Sequence, residues 1–304
     1  MSVTPIDLSQ LPSPDVVQTL DYEALLAARK ARFVSLYPAD EQAEIAATLA
    51  LESEPVVKLL QENTYREIVL RQRVNDAARA VMLAYAIGTD LDHLAALFGI
   101  RRLTIKPADP EHNLAAVMES DTDLRARTQL APQSLSVAGP EGAYVSHARN
   151  ADGRVLDASA VSPAPCEVLV SVLARDGDGT ADPALIAAVA AALQADDVRP
   201  LTDKVTVRGA EILRYQVRAR LVFFAGPDRA VALAEANRAM KKYTESMHRL
   251  GMEVTLDGIY AAARAAGVQK VILESPPAGL PATKQQAPYC TGIELIDGGV
   301  YSNE

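Results

Sequence analysis

Tryptophan is absent from the 304 residues and phenylalanine occurs only four times. Cores must therefore be filled by Ala, Val and Leu, which suits closely packed helices and small sheets. Cysteine is nearly absent too. Cys166 and Cys290 cannot staple a framework, and a reducing compartment during folding is the simplest reading. The 30 basic residues are outnumbered by 39 acidic ones, a net charge of −9. That argues against nucleic-acid binding, which needs a clustered basic face to release counterions. No apolar run approaches the roughly 20 residues that span a bilayer. The N-terminus, MSVTPIDLSQLPSPD, lacks the basic and apolar regions of a signal peptide. The expectation is a soluble protein made in the cytosol, with no direct membrane insertion.

Motifs for chemistry are missing as well. There is no phosphate-binding GK[ST] loop, no GxGxxG and no GxSxG elbow. The histidines, His93, His112, His147 and His248, are not at metal-ligand spacing. Asp176-Gly177-Asp178-Gly179 resembles the start of a calcium loop, but its twelfth position is Ala187 rather than Glu, so it reads as a tight turn. Asp90, Asp92 and His93 read as the first turn of a helix capped by Thr89 or Asp90. Cys166 has no nearby base to generate a thiolate. Arg101 and Arg102 read as partners for acidic neighbours rather than as a phosphate site. The expectation is no catalytic residue, no cofactor and no metal.

What is present is apolar periodicity. Half of the residues are apolar, 49%, enough for two or three units of roughly 100–150 residues. Residues 1–20, broken by Pro5, Pro12 and Pro14, read either as an extended arm that docks on a partner or as a frayed terminus. Helices are expected from Tyr22 to about Leu36, stopped by Pro38, and from Glu41 to Leu51. A long one is expected from Pro55 to Ala86, with Gly88 closing it. Its stripe comprises Val57, Leu60, Ile68, Val74, Ala78, Val81 and Tyr85, flanked by Arg66, Glu67, Arg71, Arg73, Asp76 and Arg79. A helix of about 45 Å reads either as part of an ordinary intramolecular bundle or, with so few intramolecular partners, as one that bundles with another chain, the second reading slightly ahead. A short helix at 89–98 precedes an irregular stretch at 101–120.

From about 121 the pattern mixes helices and strands. Helices are expected at 121–130, after Pro140, and at 183–193. Strands are expected at 154–161, 167–174 and 204–209. The last third reads strand–helix–helix–strand–strand, with strands near 215–223, 268–275 and 289–297. That order suggests a small antiparallel sheet covered on one face by two helices, its open face and edges left for contacts. The fold class is α+β. An N-terminal helical bundle segment precedes two small mixed α/β domains with antiparallel or mixed sheets. Boundaries fall at 1–20, 21–110, 111–209 and 210–304.

Several stretches carry a resemblance. IDLSQLPSPDVV, SLYPADEQ (35–42), LESEPVVKLLQENTYRE (51–67), LRQRVNDAARAVMLAYA (70–86), GTDLDHLAALF (88–98), MESDTDLRAR (118–127), LSVAGPEGAY (135–144), DDVRPLTDKVTV (196–207) and HRLGMEVTLDGIYAA (248–262) are similar, in one register, to the baseplate J family of contractile-tailed phages and R-type pyocins. The chain resembles the short members, since 101–118 leaves no room for a β-rich insertion. One departure is Pro132, where the preceding helix is expected to end.

The resemblance implies a structural baseplate wedge subunit that carries no catalytic site. Two such chains, or one and a close paralogue, would join a smaller tail protein I-like subunit in a triplex. Further implied partners are the sheath initiator, the central hub and, through the wedge, the tail fibres. The open alternatives are an assembly factor absent from the finished particle and an enzyme whose site forms only in three dimensions.

Overall fold

The computed structural model describes residues 6–8, 11, 12, 14, 16–136, 138–196, 198–226 and 228–301. Much of the arm expected at 1–20 lies outside the described residues. The chain divides into two compact units, Ile6–Gly99 and the part from Ile100 onward.

The first unit is helical. Helix α1 (Tyr22–Val34) is capped by Asp21, whose carboxylate accepts from the Ala24 N–H at 3.1 Å. Helix α2 (Gln42–Leu49) leads to α3 (Pro55–Ala80), with proline in its first turn. Helix α3 ends six residues before the expected Ala86. Its 26 residues span about 39 Å. The reason is burial. Past Val81 the chain turns, with the Tyr85 and Ala86 N–H groups donating to the Met82 carbonyl at 2.9 Å each, and this buries Ala86. A continued helix would leave that apolar segment in water. Helix α4 (Gly88–Ala96) begins at Gly88, with Ile87 at the cap position and no side-chain cap. The expected caps Thr89 and Asp90 therefore lie inside the first turn. Gly88, at φ +53°, opens this helix instead of closing the previous one.

The second unit starts with a small hairpin where an irregular stretch was expected. Strands β1 (Thr104–Lys106) and β2 (Val117–Met118) pair antiparallel. The Asp109 carboxylate organises the tip, accepting from the Glu111 and His112 N–H groups at 3.1 and 3.2 Å. Helix α5 (Asp121–Leu130) stops before Pro132 and passes into a 3-10 turn, Ala131–Leu135.

Helices α6 (Glu141–Ala151) and α7 (Pro183–Leu193) pack on a sheet of order β3-β4-β5. It comprises β3 (Val155–Val161), β4 (Glu167–Ala174) and β5 (Lys204–Gly209). Strand β4 pairs antiparallel with β3 and parallel with β5, because α7 provides the crossover. The core of this layer is Leu130, Tyr144, Val170, Val172, Leu185, Val189 and their neighbours.

The last sheet has order β7-β6-β8, from β6 (Glu211–Phe223), β7 (Val268–Ser275) and β8 (Gln286–Val300). Helices α8 (Arg229–Met247) and α9 (Leu256–Ala263) cover one face. The sheet is mixed rather than antiparallel. Strand β8 runs parallel to β6, because the 276–285 loop carries the chain from β7 to the far side of β6. Tyr215, Val217, Ala219, Leu221 and Phe223 of β6 alternate inward onto Ala236, Met240 and Ile259.

Direct polar bonds tie the two cores together. The Asp157 carboxylate accepts from the Leu250 N–H at 3.0 Å, Lys284 bridges Glu141 at 2.7 Å, and Arg214 pairs with Asp178.

Candidate interaction surface

Helix α3 has two distinct sides. At about 100° per residue, positions 57, 61, 64, 68, 71 and 75 fall within one arc. Val57, Thr64 and Asn75 are buried there, and each polar member is satisfied. The Thr64 hydroxyl donates to the Leu60 carbonyl at 2.7 Å. Asn75 accepts from the Gln18 N–H at 3.1 Å and donates to the Gln18 carbonyl at 2.9 Å. A described part of the N-terminal segment thus docks on the chain's own α3. Glu67 bridges to Arg29 of α1 and to Arg71, and these two hydrogen bonds hold its carboxyl below the usual range.

The opposite side is apolar and in water. Leu59 (59%), Leu70 (66%) and Val74 (62%) form an exposed line with Ala77. Tyr65 and Val69 are exposed as well, separated from that line by Arg66 and Arg73. Beside Val69 and Ala77 a groove of about 580 Å³ runs along Ile68, Gln72 and Ala80. Isolated exposed apolar residues need no explanation; a row along one helix is a candidate contact surface.

The expected stripe is therefore split. Val57 is on the inner side and fully buried. Leu60, Ile68 and Ala78 are half-buried. Val74 is on the outer side, and Val81 lies in the turn after α3 at 70% exposure. Tyr85 is half-buried in the same turn, its hydroxyl donating to the Pro12 carbonyl at 3.4 Å. Leu59, Tyr65, Val69 and Leu70 were not part of the expected stripe.

The sites weighed for chemistry have ordinary structural settings. Gly177 and Gly179 both have positive φ, 67° and 93°, in the turn after β4. Asp178 accepts from the Thr180 hydroxyl and amide, and with Arg214 these hold its carboxyl down at about 2. Cys166 is exposed, and burial pushes the Cys290 thiol up. Arg102 pairs with Asp121 at 2.7 Å. Among the described residues no group of three or more His, Cys, Asp or Glu could hold a metal ion. No helix of the described residues is long and apolar enough to cross a membrane.

One buried ion pair was not visible in sequence. Arg127 and Glu119, with side chains 4% and 1% exposed, pair directly. Arg127 also donates to Asn150 at 2.8 Å and to the Arg101 carbonyl at 3.3 Å. Burial lowers the Arg127 pKa and Glu119 opposes that. The pair fastens the segment that opens the second unit to α5 and α6, which is a structural task.

Residues 52–109 match the family described as the Baseplate J-like N-terminal domain, and residues 136–209 match the Baseplate J-like central domain. The first match covers α3 and its exposed side. A chain in the cryo-EM structure of the anti-feeding prophage baseplate is distantly similar, at TM-score 0.38 and 16% identity over 60% of this chain and 44% of that one. Baseplate protein J of Escherichia phage P2 is 51% identical over 296 residues, 97% of this chain and 98% of that protein. With half its residues matched along nearly the full length of both proteins, the chain belongs to the baseplate J family.

Proposed function

We propose that the chain is a structural wedge subunit of the baseplate of a contractile tail, working through protein–protein contacts and without catalysis. The observation that carries this reading is the identity to a phage baseplate protein from end to end. The exposed apolar side of α3 supports it, because a helix with Leu59, Leu70 and Val74 in water is poorly suited to life as a free monomer. In this reading two copies, or one copy and a close paralogue, join a smaller tail protein I-like chain through the α3 side. The unit from Ile100 onward meets neighbouring wedges, the hub and the sheath initiator. The ring so built holds the tail extended. It opens on a fibre signal by rearranging contacts between rigid bodies, and contraction follows.

The test is solution mass, measured with and without the smaller wedge subunit. A stable complex of two large chains and one small chain is expected. A chain that stays monomeric beside that subunit sinks the triplex. Tail particles that still assemble after Leu60, Val74 and Val81 are all changed to Glu sink the role of α3.

A further inference from the structure

We propose that Asn75 is the centre of a clamp for peptide backbone, that residues 16–20 sit in it as a removable latch, and that the same segment of a second copy fits it equally well. The wedge reading supplies the second copy, whereas the clamp itself rests on the geometry of the first unit. Asn75 is an unusual residue for its place. Asparagine is a weak helix former, and a polar side chain on a buried arc is costly unless it is bonded. Asn75 nevertheless lies on the inner side of α3 at 4% exposure. Thr64, the other buried polar residue of α3, bonds within its own helix.

Asn75 turns its whole amide outward to another segment. The Gln18 N–H donates to its Oδ1 at 3.1 Å, and its Nδ2 donates to the Gln18 carbonyl at 2.9 Å. It has no other side-chain hydrogen bond among the described residues. Both Gln18 groups belong to the backbone, so the pair holds one residue of main chain whatever its side chain. A single partner that bonds both the N–H and the C=O of one residue is how an antiparallel strand pairs. Two side chains complete the clamp. Arg71 donates to the Gln18 Oε1 at 3.2 Å, and the Tyr85 hydroxyl donates to the Pro12 carbonyl at 3.4 Å. The ligand class is therefore a non-helical peptide segment, and this chain carries its own.

The latch is lightly held. On release each of these hydrogen bonds is replaced by bonds to water, so each favours the closed form only by a few-fold to about 10-fold. Apolar burial adds little. Leu11 is 48% and Val16 51% exposed, and Val17 and Leu20 are only half-buried. A segment held this way opens without unfolding the helix beneath it. The opened clamp then meets the same segment of a neighbouring copy with identical bonds, so exchange is nearly neutral in free energy. Reach sets the condition. Gln18 stands three residues before Asp21, the cap of α1, so a clamp in another copy must come within about 10 Å of that cap. Exchange therefore needs two copies with their first units side by side, as in the wedge reading.

The test uses the full chain and a labelled synthetic peptide of residues 11–20, followed by fluorescence anisotropy. Gln18→Pro in the chain removes the N–H that the clamp holds and so empties it. Gln18 is exposed and outside every helix, so that variant keeps its fold. The peptide should bind the Gln18→Pro chain at least ~10-fold more tightly than the parent, whose own latch competes. Adding Asn75→Leu should abolish binding. Methylating the Gln18 nitrogen of the peptide should cost up to about 10-fold, whereas Gln18→Ala in the peptide should cost less, because its backbone pair is intact. In the full chain, Asn75→Leu should speed exchange of the Gln18 amide at least ~10-fold while the amides of α3 are unchanged. Equal binding to parent and Gln18→Pro chains, binding that survives Asn75→Leu, or no binding at all overturns the proposal. So does a Gln18 amide that exchanges only when α3 unfolds. Those failures leave the wedge reading standing, whereas tail particles that lack the chain sink that reading and leave the peptide result intact.

Discussion

Replacing Glu119 by Ala should be among the most costly single changes in the second unit. The carboxylate lies 1% exposed against Arg127, and it also accepts from the Leu103 N–H at 3.2 Å. Without it the Arg127 guanidinium, at 4% exposure, keeps the Asn150 and Arg101 contacts but has no paired negative charge left among the described residues. Removing one member of a buried pair typically costs about 3–5 kcal/mol, because the remaining charge is uncompensated. In a unit of this size each kcal/mol shifts the melting midpoint by about 2–4 °C, so the drop should be about 6–20 °C. Scanning calorimetry measures it directly. The double change Glu119→Leu with Arg127→Met removes both charges and should recover to within about 2 kcal/mol of the parent. A Glu119→Ala protein melting within about 3 °C of the parent would refute the reasoning, since Arg127 would then be reaching water.

Other predictions use the same melts. Val57→Ala, on the inner side of α3, should cost about 2 kcal/mol, whereas Val74→Ala on the outer side should stay within about 0.5 kcal/mol. Similar costs at both positions would mean that the two sides of α3 are misassigned. Gly258→Ala should destabilise by about 1–3 kcal/mol, because the new methyl would meet the Tyr243 ring and its hydroxyl. A neutral result would show that α8 and α9 slide apart freely. Asp178, held at about 2 in the fold against an ordinary 3.8, contributes stability that is present above that ordinary value and lost as pH falls through about 2. Melts of Asp178→Asn should lack that acid-side loss, and an unchanged acid limb would contradict the assignment.

Much of the architecture was legible in sequence because strong local signals coincided. Pro55 opens α3, Asp121 to Leu130 is helical and stops short of Pro132, and β6 alternates cleanly from Tyr215 to Phe223. The phase of α3 was not legible. Val57 and Val74 are 17 residues apart, which puts them about 100° apart around a helix. A 3–4 spacing followed loosely over many turns drifts from one face to the other. That is how buried Val57 and exposed Val74 came to share one stripe while Leu59 and Leu70 were passed over. The early end of α3 depends on Ala86 finding a buried place in the turn, a tertiary effect. Strand β8 runs parallel to β6 because of the path of the 276–285 loop, and no local pattern encodes that path. The Glu119–Arg127 pair looks in sequence like any solvated helix charge. Its burial comes from the 101–103 segment closing over it.

The account's central claim is that this chain is a permanent structural part of a tail baseplate, held there through the outer side of α3. Quantitative mass spectrometry of purified tail particles, made with the parent chain or with Leu70→Asp and Val74→Asp together, tests it most directly. The account predicts the parent chain in fixed ratio to the other baseplate proteins, and the variant folded in the lysate but missing from particles. Finished particles that lack the parent chain, or that incorporate the variant at the parental ratio, would contradict it.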